Sequence, residues 1–117
     1  MSHATLPARR TSSLSAADVT VLRGMLEQQR EFRGEQLRQL RRPDARSPLS
    51  STDPEILHRL SEGAQAALRD AHAALWRMGQ GRYGLCTACG EPVEVQRLEI
   101  LPQTDLCLPC RQAAAQT

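Results

Sequence analysis

The sequence predicts a mainly α-helical protein: an antiparallel coiled-coil hairpin of two long helices, followed by a small module built on four cysteines. Three observations predict it. A proline-free stretch from Ser15 to Arg42 carries apolar residues at helical spacing. A second such stretch runs from Asp53 to about Met78. Four cysteines then fall in two C-x₂-C pairs near the C-terminus.

The first helix begins at Ser15, an N-cap residue, with Asp18 in the first turn facing the positive helix end. Val19, Leu22, Leu26, Leu37 and Leu40 form one stripe, and Val21, Met25 and Phe32 an adjacent one. Gln29, Arg33 and Gln36 interrupt the stripe, so amphipathicity weakens in the middle. The segment Pro43 to Thr52 holds two prolines and three serines and breaks the helix. Asp53-Pro54-Glu55 restarts one: Asp caps, and Pro takes a position where its missing N–H costs nothing. Leu57, Leu60, Ala64, Ala67, Ala71, Ala74 and Met78 then make a seam for one partner helix, with Leu68 and Leu75 beside it. Gly79 and Gly81 end this helix. At 1.5 Å per residue each helix is about 40 Å long, and the short break folds one back on the other. The expected organisation is a disordered tail over 1–14, the hairpin over 15–79 with its tip loop near 43–53, and a cysteine module over 80–117.

Composition agrees. Phe32, Trp76 and Tyr83 are the only aromatic residues, so Leu and Ala must build the interior. All 15 basic residues are Arg, and the net charge of +2 does not demand a nucleic-acid partner. No stretch approaches the roughly 20 apolar residues of a membrane span. The first 14 residues are basic and Ser/Thr-rich, without a secretory apolar stretch, which points to the cytoplasm. In that reducing compartment cysteines read as metal ligands rather than disulfides.

Cys86 and Cys89 are separated from Cys107 and Cys110 by 17 residues, the spacing of a structural Zn²⁺ site. Two thiolates three apart turn round one ion in a tight knuckle, and Gly90 supplies the backbone angles for that turn. Two knuckles close a four-cysteine site with no open position, which argues against an enzyme. His3, His58 and His72 are scattered and form no base–nucleophile pair. Leu85, Val93, Val95, Leu98, Ile100, Leu101 and Leu106 make a very small local core. Arg82, Arg97 and Arg111 lie near the ligands, where they offset the formal charge of about −2 on a tetrathiolate zinc centre or meet a partner. Cys110 to Gln116 reads as a short C-terminal helix.

The run Tyr83-Gly84-x-Cys86-x-x-Cys89-Gly90, with Val93, Arg97-Leu98-Glu99, Pro102 and Asp105-Leu106-Cys107-x-x-Cys110, closely resembles the DksA/TraR C4-type zinc finger. The resemblance covers about residues 75–111 and implies a four-cysteine zinc-finger module. It also implies a mode of action: such proteins bind RNA polymerase, not DNA. The zinc part sits at the rim of the secondary channel, and the hairpin enters it. Acidic tip residues then approach the active site and alter open-complex lifetime.

The family tip carries Asp-x-x-Asp-x-Ala. Here the nearest match starts at Asp44-Ala45, the second Asp is Ser47, the Ala is Leu49, and Asp53 offers an acid elsewhere in the loop. Many members act with guanosine tetraphosphate. The matching contact positions are Asp70, Leu101 and Arg111, of which one is basic, so nucleotide dependence is expected to be weak or absent. Two other readings compete: a zinc-stabilised protein–protein adaptor and a nucleic-acid-binding zinc module. The latter is disfavoured by four acids against two arginines between Gly84 and Arg111, and no sequence-specific DNA binding is expected.

Overall fold

The computed structural model describes residues 12–116. Helix α1 spans Ala16–Arg41 and α2 spans Pro54–Gly79, each 26 residues long, packed together as a hairpin. Helices α3 (Val95–Ile100) and α4 (Leu108–Ala115) belong to the cysteine module. The molecule is elongated, 67 × 35 × 26 Å. No strand forms among the described residues; a single bridge pairs Leu85 with Pro92.

Both long helices start where the cap chemistry places them. The Ser15 hydroxyl accepts from the Asp18 backbone N–H at 3.0 Å, and the Asp18 carboxylate accepts from the Ser15 N–H at 3.0 Å. This reciprocal pair satisfies two otherwise orphaned donors. Asp53 caps α2 by accepting from the Glu55 N–H at 2.8 Å, with Pro54 in the first turn. The break between the helices is more ordered than a loop. Pro48–Ser51 forms a short 3₁₀ helix, capped by the Ser47 hydroxyl, which accepts from the Leu49 N–H at 3.1 Å. Of the tail read over 1–14, residues 1–11 lie outside the described residues, and Leu14 packs on the core at the base of the hairpin.

The interior is divided. At the base, Leu22, Leu26, Ala74 and Met78 join Tyr83, Cys86, Val93, Leu98 and Cys107 in one buried cluster. Near the tip, Leu37, Leu40 and Ala64 form another, closed by Leu49, Leu57 and Leu68. Between them lie half-buried Gln29, Arg33 and Gln36, the interruption read from the sequence. Arg33 donates to Gln36 Oε1 at 2.8 Å, so polar atoms are paired where the apolar stripe fails. The thin hairpin therefore has an interior at its base because the cysteine module completes it.

Several apolar residues lie further out than their spacing suggests. Leu60 is 46% exposed, and Val21 and Phe32 lie in the open. Of the adjacent α1 stripe, Met25 packs against the base core, while among the described residues no third helix covers Val21 and Phe32. Phe32 is instead flanked by the Arg33 guanidinium, 5.3 Å from its ring centre. Ile100 is 77% exposed and Leu101 is also exposed, so both leave the local core expected of them, while Val93 and Leu98 stay in it. The reason is the geometry of α3, which turns one face inward and has only six residues to do so.

Replacing Leu26, which is fully buried, by Ala is expected to cost about 2–5 kcal/mol in chemical denaturation. The same change at exposed Leu60 is expected to cost less than half as much.

Candidate metal centre

Three glycines prepare the first knuckle. Gly81, Gly84 and Gly90 have φ of 71°, 86° and 80°, a region that other residues rarely adopt. Gly90 closes the turn: its N–H donates to the Cys86 carbonyl at 2.9 Å, and the Cys86 N–H donates to the Glu91 carbonyl at 2.8 Å. At Gly84 the need is twofold. A β-carbon there would come within 2.9 Å of both Leu14 Cδ1 and Ser12 Cβ.

The second pair is built differently. Cys107 is the N-cap of α4 and Cys110 sits in its first turn. The three-residue spacing thus brings both sulfurs to one end of a single helix.

Further bonds tie the knuckles together. The Thr87 N–H and hydroxyl both donate to the Asp105 carbonyl, at 2.8 and 3.1 Å. The buried Tyr83 hydroxyl donates to the Pro102 carbonyl at 2.8 Å. Arg97 Nε donates to the Leu106 carbonyl, next to Cys107, at 3.2 Å. Pro102 and Arg97 therefore position the ligand loop.

The four Sγ atoms lie within 4.8 Å of one another, and none of the cysteines is in a disulfide. Zn–S bonds of about 2.3 Å in a tetrahedron put sulfurs about 3.8 Å apart. Cys89 and Cys107 Sγ are 3.7 Å apart. The donor set and its size fit one Zn²⁺, held by Cys86, Cys89, Cys107 and Cys110. Soft thiolates on all four sides select a metal of this kind and leave no open position for substrate.

The thiols also divide their charge unevenly. Burial pushes Cys86 up, but backbone N–H groups of Cys107, Cys89 and Ala88 outweigh it and leave it at about 6. Cys110 is pushed up to about 12 by the neighbouring Cys107, Cys86 and Cys89 sulfurs. Four thiolates cannot share so small a space without a cation between them.

The arginines read from the sequence do not gather in one place. Arg97 and Arg111 share a cleft of ≈ 390 Å³ with Asp70, Leu101 and Asp105. Arg82 lies in a separate groove beside Trp76. Asp44, Ala45 and Asp53 are exposed in the tip region, with the α2 helix between them and the metal centre. Sequence reasoning missed Arg77. It is only 9% exposed, and it borders both clefts. Its Nη2 faces the Gln103 and Thr104 carbonyls at 3.4 and 3.5 Å, while its Nε and Gln103 Oε1 have no partner among the described residues. Its place between Ala74 and Met78 on the seam was the signal that it points inward.

Residues 81–114 match the prokaryotic DksA/TraR C4-type zinc finger. An uncharacterized protein of Aquifex aeolicus is 38% identical over 58 residues, covering 50% of this chain and 40% of that protein. The RNA polymerase-binding transcription factor DksA of Haemophilus influenzae is 34% identical over 47 residues, covering 40% of this chain and 32% of that one. The chain thus spans less than half the length of these curated relatives. The solved structure of the transcription factor DksA2 from Pseudomonas aeruginosa superimposes with a TM-score of 0.66 at 28% identity, covering 97% of this chain and 92% of that one.

Cys107→Ser is expected to lose the zinc and unfold the module, read as metal content per chain and amide exchange; one zinc retained per chain would contradict the site. Burial pushes the Tyr83 hydroxyl up to about 12, against the pull of nearby Arg77. The fold favours the neutral form, so this stabilisation is present below the ordinary value of 10.0 and lost as pH rises through about 12. Tyr83→Phe is expected to cost about 1 kcal/mol at neutral pH and to flatten the alkaline decline in denaturation midpoint.

Proposed function

We propose that this chain, whose zinc module makes it a member of the DksA/TraR C4-type zinc finger family, is a cytoplasmic, non-enzymatic regulator of transcription initiation that binds RNA polymerase through the secondary channel. The observation that carries this reading is the joining of two parts. A module of the family's type is fused, through one buried core, to a hairpin whose far end bears acids. The superposition on DksA2 runs along nearly the whole chain and supports the same arrangement.

In this mechanism the zinc module anchors and the hairpin reaches. Helices of 26 residues carry the tip about 40 Å from the base. At the tip, Asp44 accepts from the Arg46 N–H at 2.8 Å, and Asp53 is occupied in capping α2. Each carboxylate keeps lone pairs free for a partner. Arg41, Arg42 and Arg46 stand in the same region, so the tip is less acidic than the family pattern implies. Asp44 and Ala45 are the tip residues assigned to the polymerase, with Asp53 as the second acid.

Guanosine tetraphosphate fits poorly. The positions matching the family's nucleotide contacts, Asp70, Leu101 and Arg111, do line one cleft. Asp70 and Asp105 bring negative charge into it, and Leu101 offers no donor. Arg97 and Arg111 are left to hold the phosphates, with Arg97 already bonded to the Leu106 carbonyl.

Affinity purification with core RNA polymerase is expected to recover the complex, and Asp44→Ala to weaken the effect on open-complex lifetime. Adding guanosine tetraphosphate is expected to change inhibition less than about threefold; strong synergy would refute the nucleotide part of the reading, and no complex would refute the whole.

A further inference from the structure

A groove of ≈ 750 Å³ lies where the end of α2 meets the first knuckle. Trp76 forms one side of it and is 61% exposed. An indole has much apolar surface to lose from water, and tryptophan is enriched among residues that dominate protein interfaces. Its exposure is not solitary. Leu14 and Leu85, both half-buried, line the same groove and extend the apolar surface.

The groove is also preformed. Gly84, buried with φ of 86°, lets residues 12–14 pass close over the knuckle and make a wall. Arg77 is fixed from behind by its contacts with the Gln103 and Thr104 carbonyls.

Its charge has one sign at the rim. Among the described residues, Arg77 and Arg82 line the groove and no acidic residue does. Arg82 is exposed, and among the described residues it pairs with no carboxylate. The thiolate charge lies below, at buried Cys86, so a docking partner meets the Arg82 guanidinium first.

The geometry points to a protein-docking cleft that takes an acidic segment of RNA polymerase, with an apolar side chain against Trp76 and a carboxylate on Arg82. This rests on the polymerase reading above for the identity of the partner. It assigns the anchoring of the zinc module to Trp76 and Arg82, which are neither metal ligands nor tip residues. A rigid aromatic beside a fork of donors is a combination that suits such a segment.

The test uses the full-length, zinc-loaded protein and purified core polymerase. Trp76→Ala and Arg82→Glu are expected to weaken binding about 30-fold each, with zinc content and circular dichroism unchanged because both side chains are exposed. The intrinsic fluorescence of this single tryptophan is expected to shift when polymerase is added. Benzoylphenylalanine in place of Trp76 should crosslink to polymerase at an acidic stretch. Binding by the wild type with no loss in either variant would overturn the cleft and leave the polymerase reading intact. A crosslink to nucleic acid, to a second copy or to a basic stretch would overturn the cleft as well. No polymerase binding by the wild type would overturn both.

Discussion

The convergence of four sulfurs on one point is the constraint from which the lower half of this molecule is organised. Cys86 and Cys107 are not peripheral ornaments; they are packed in the same cluster as Leu22 and Leu26 of α1 and Met78 of α2. Metal binding in small zinc modules is worth about 10–16 kcal/mol. A whole domain is stable by about 5–15 kcal/mol. The ion's contribution is therefore of the order of the entire folding free energy, and it is delivered into the core that also joins the two long helices.

The protein part of the module makes that delivery possible. Tyr83, Thr87 and Arg97 each donate to a backbone carbonyl on the loop that leads to Cys107. These bonds bring two chain segments together before any metal–ligand bond is counted. The ordering entropy of the loop, about 1–2 kcal/mol for each residue fixed, is partly met by them. The uneven thiols follow from the same architecture. N–H groups converge on Cys86, whereas Cys110 faces its sulfur neighbours.

Much of this was legible in the sequence because it depends on local chemistry. Ser15 and Asp53 place helix starts by hydrogen bonds within three residues, Pro54 does so by its fixed φ, and C-x₂-C pairs impose a knuckle on any backbone that holds them. What was hidden depends on what lies across space. The 3₁₀ turn at Pro48–Ser51 carried a signal, Ser47 before Pro48, that was outweighed by the density of loop-forming residues. Helix α3 is too short for a periodic pattern to stand out. Leu60 and Ile100 match the spacing of core residues, yet among the described residues no element covers them. Arg77 is the reverse case, a charged residue drawn inside by its position on the seam.

The separation of the interior into two clusters has a mechanical consequence. The tip half of the hairpin is held by Leu37, Leu40 and Ala64 with partly buried neighbours, and no metal reaches it. The paired polar residues Arg33 and Gln36 stand between it and the zinc-braced base. Opening of the tip half therefore exposes little apolar surface and leaves the base intact, which is the condition for a low-energy, independent fluctuation. The hairpin is best pictured as a stiff mount carrying a compliant probe: the end that would search a narrow passage can bend or fray without loosening the end that holds on.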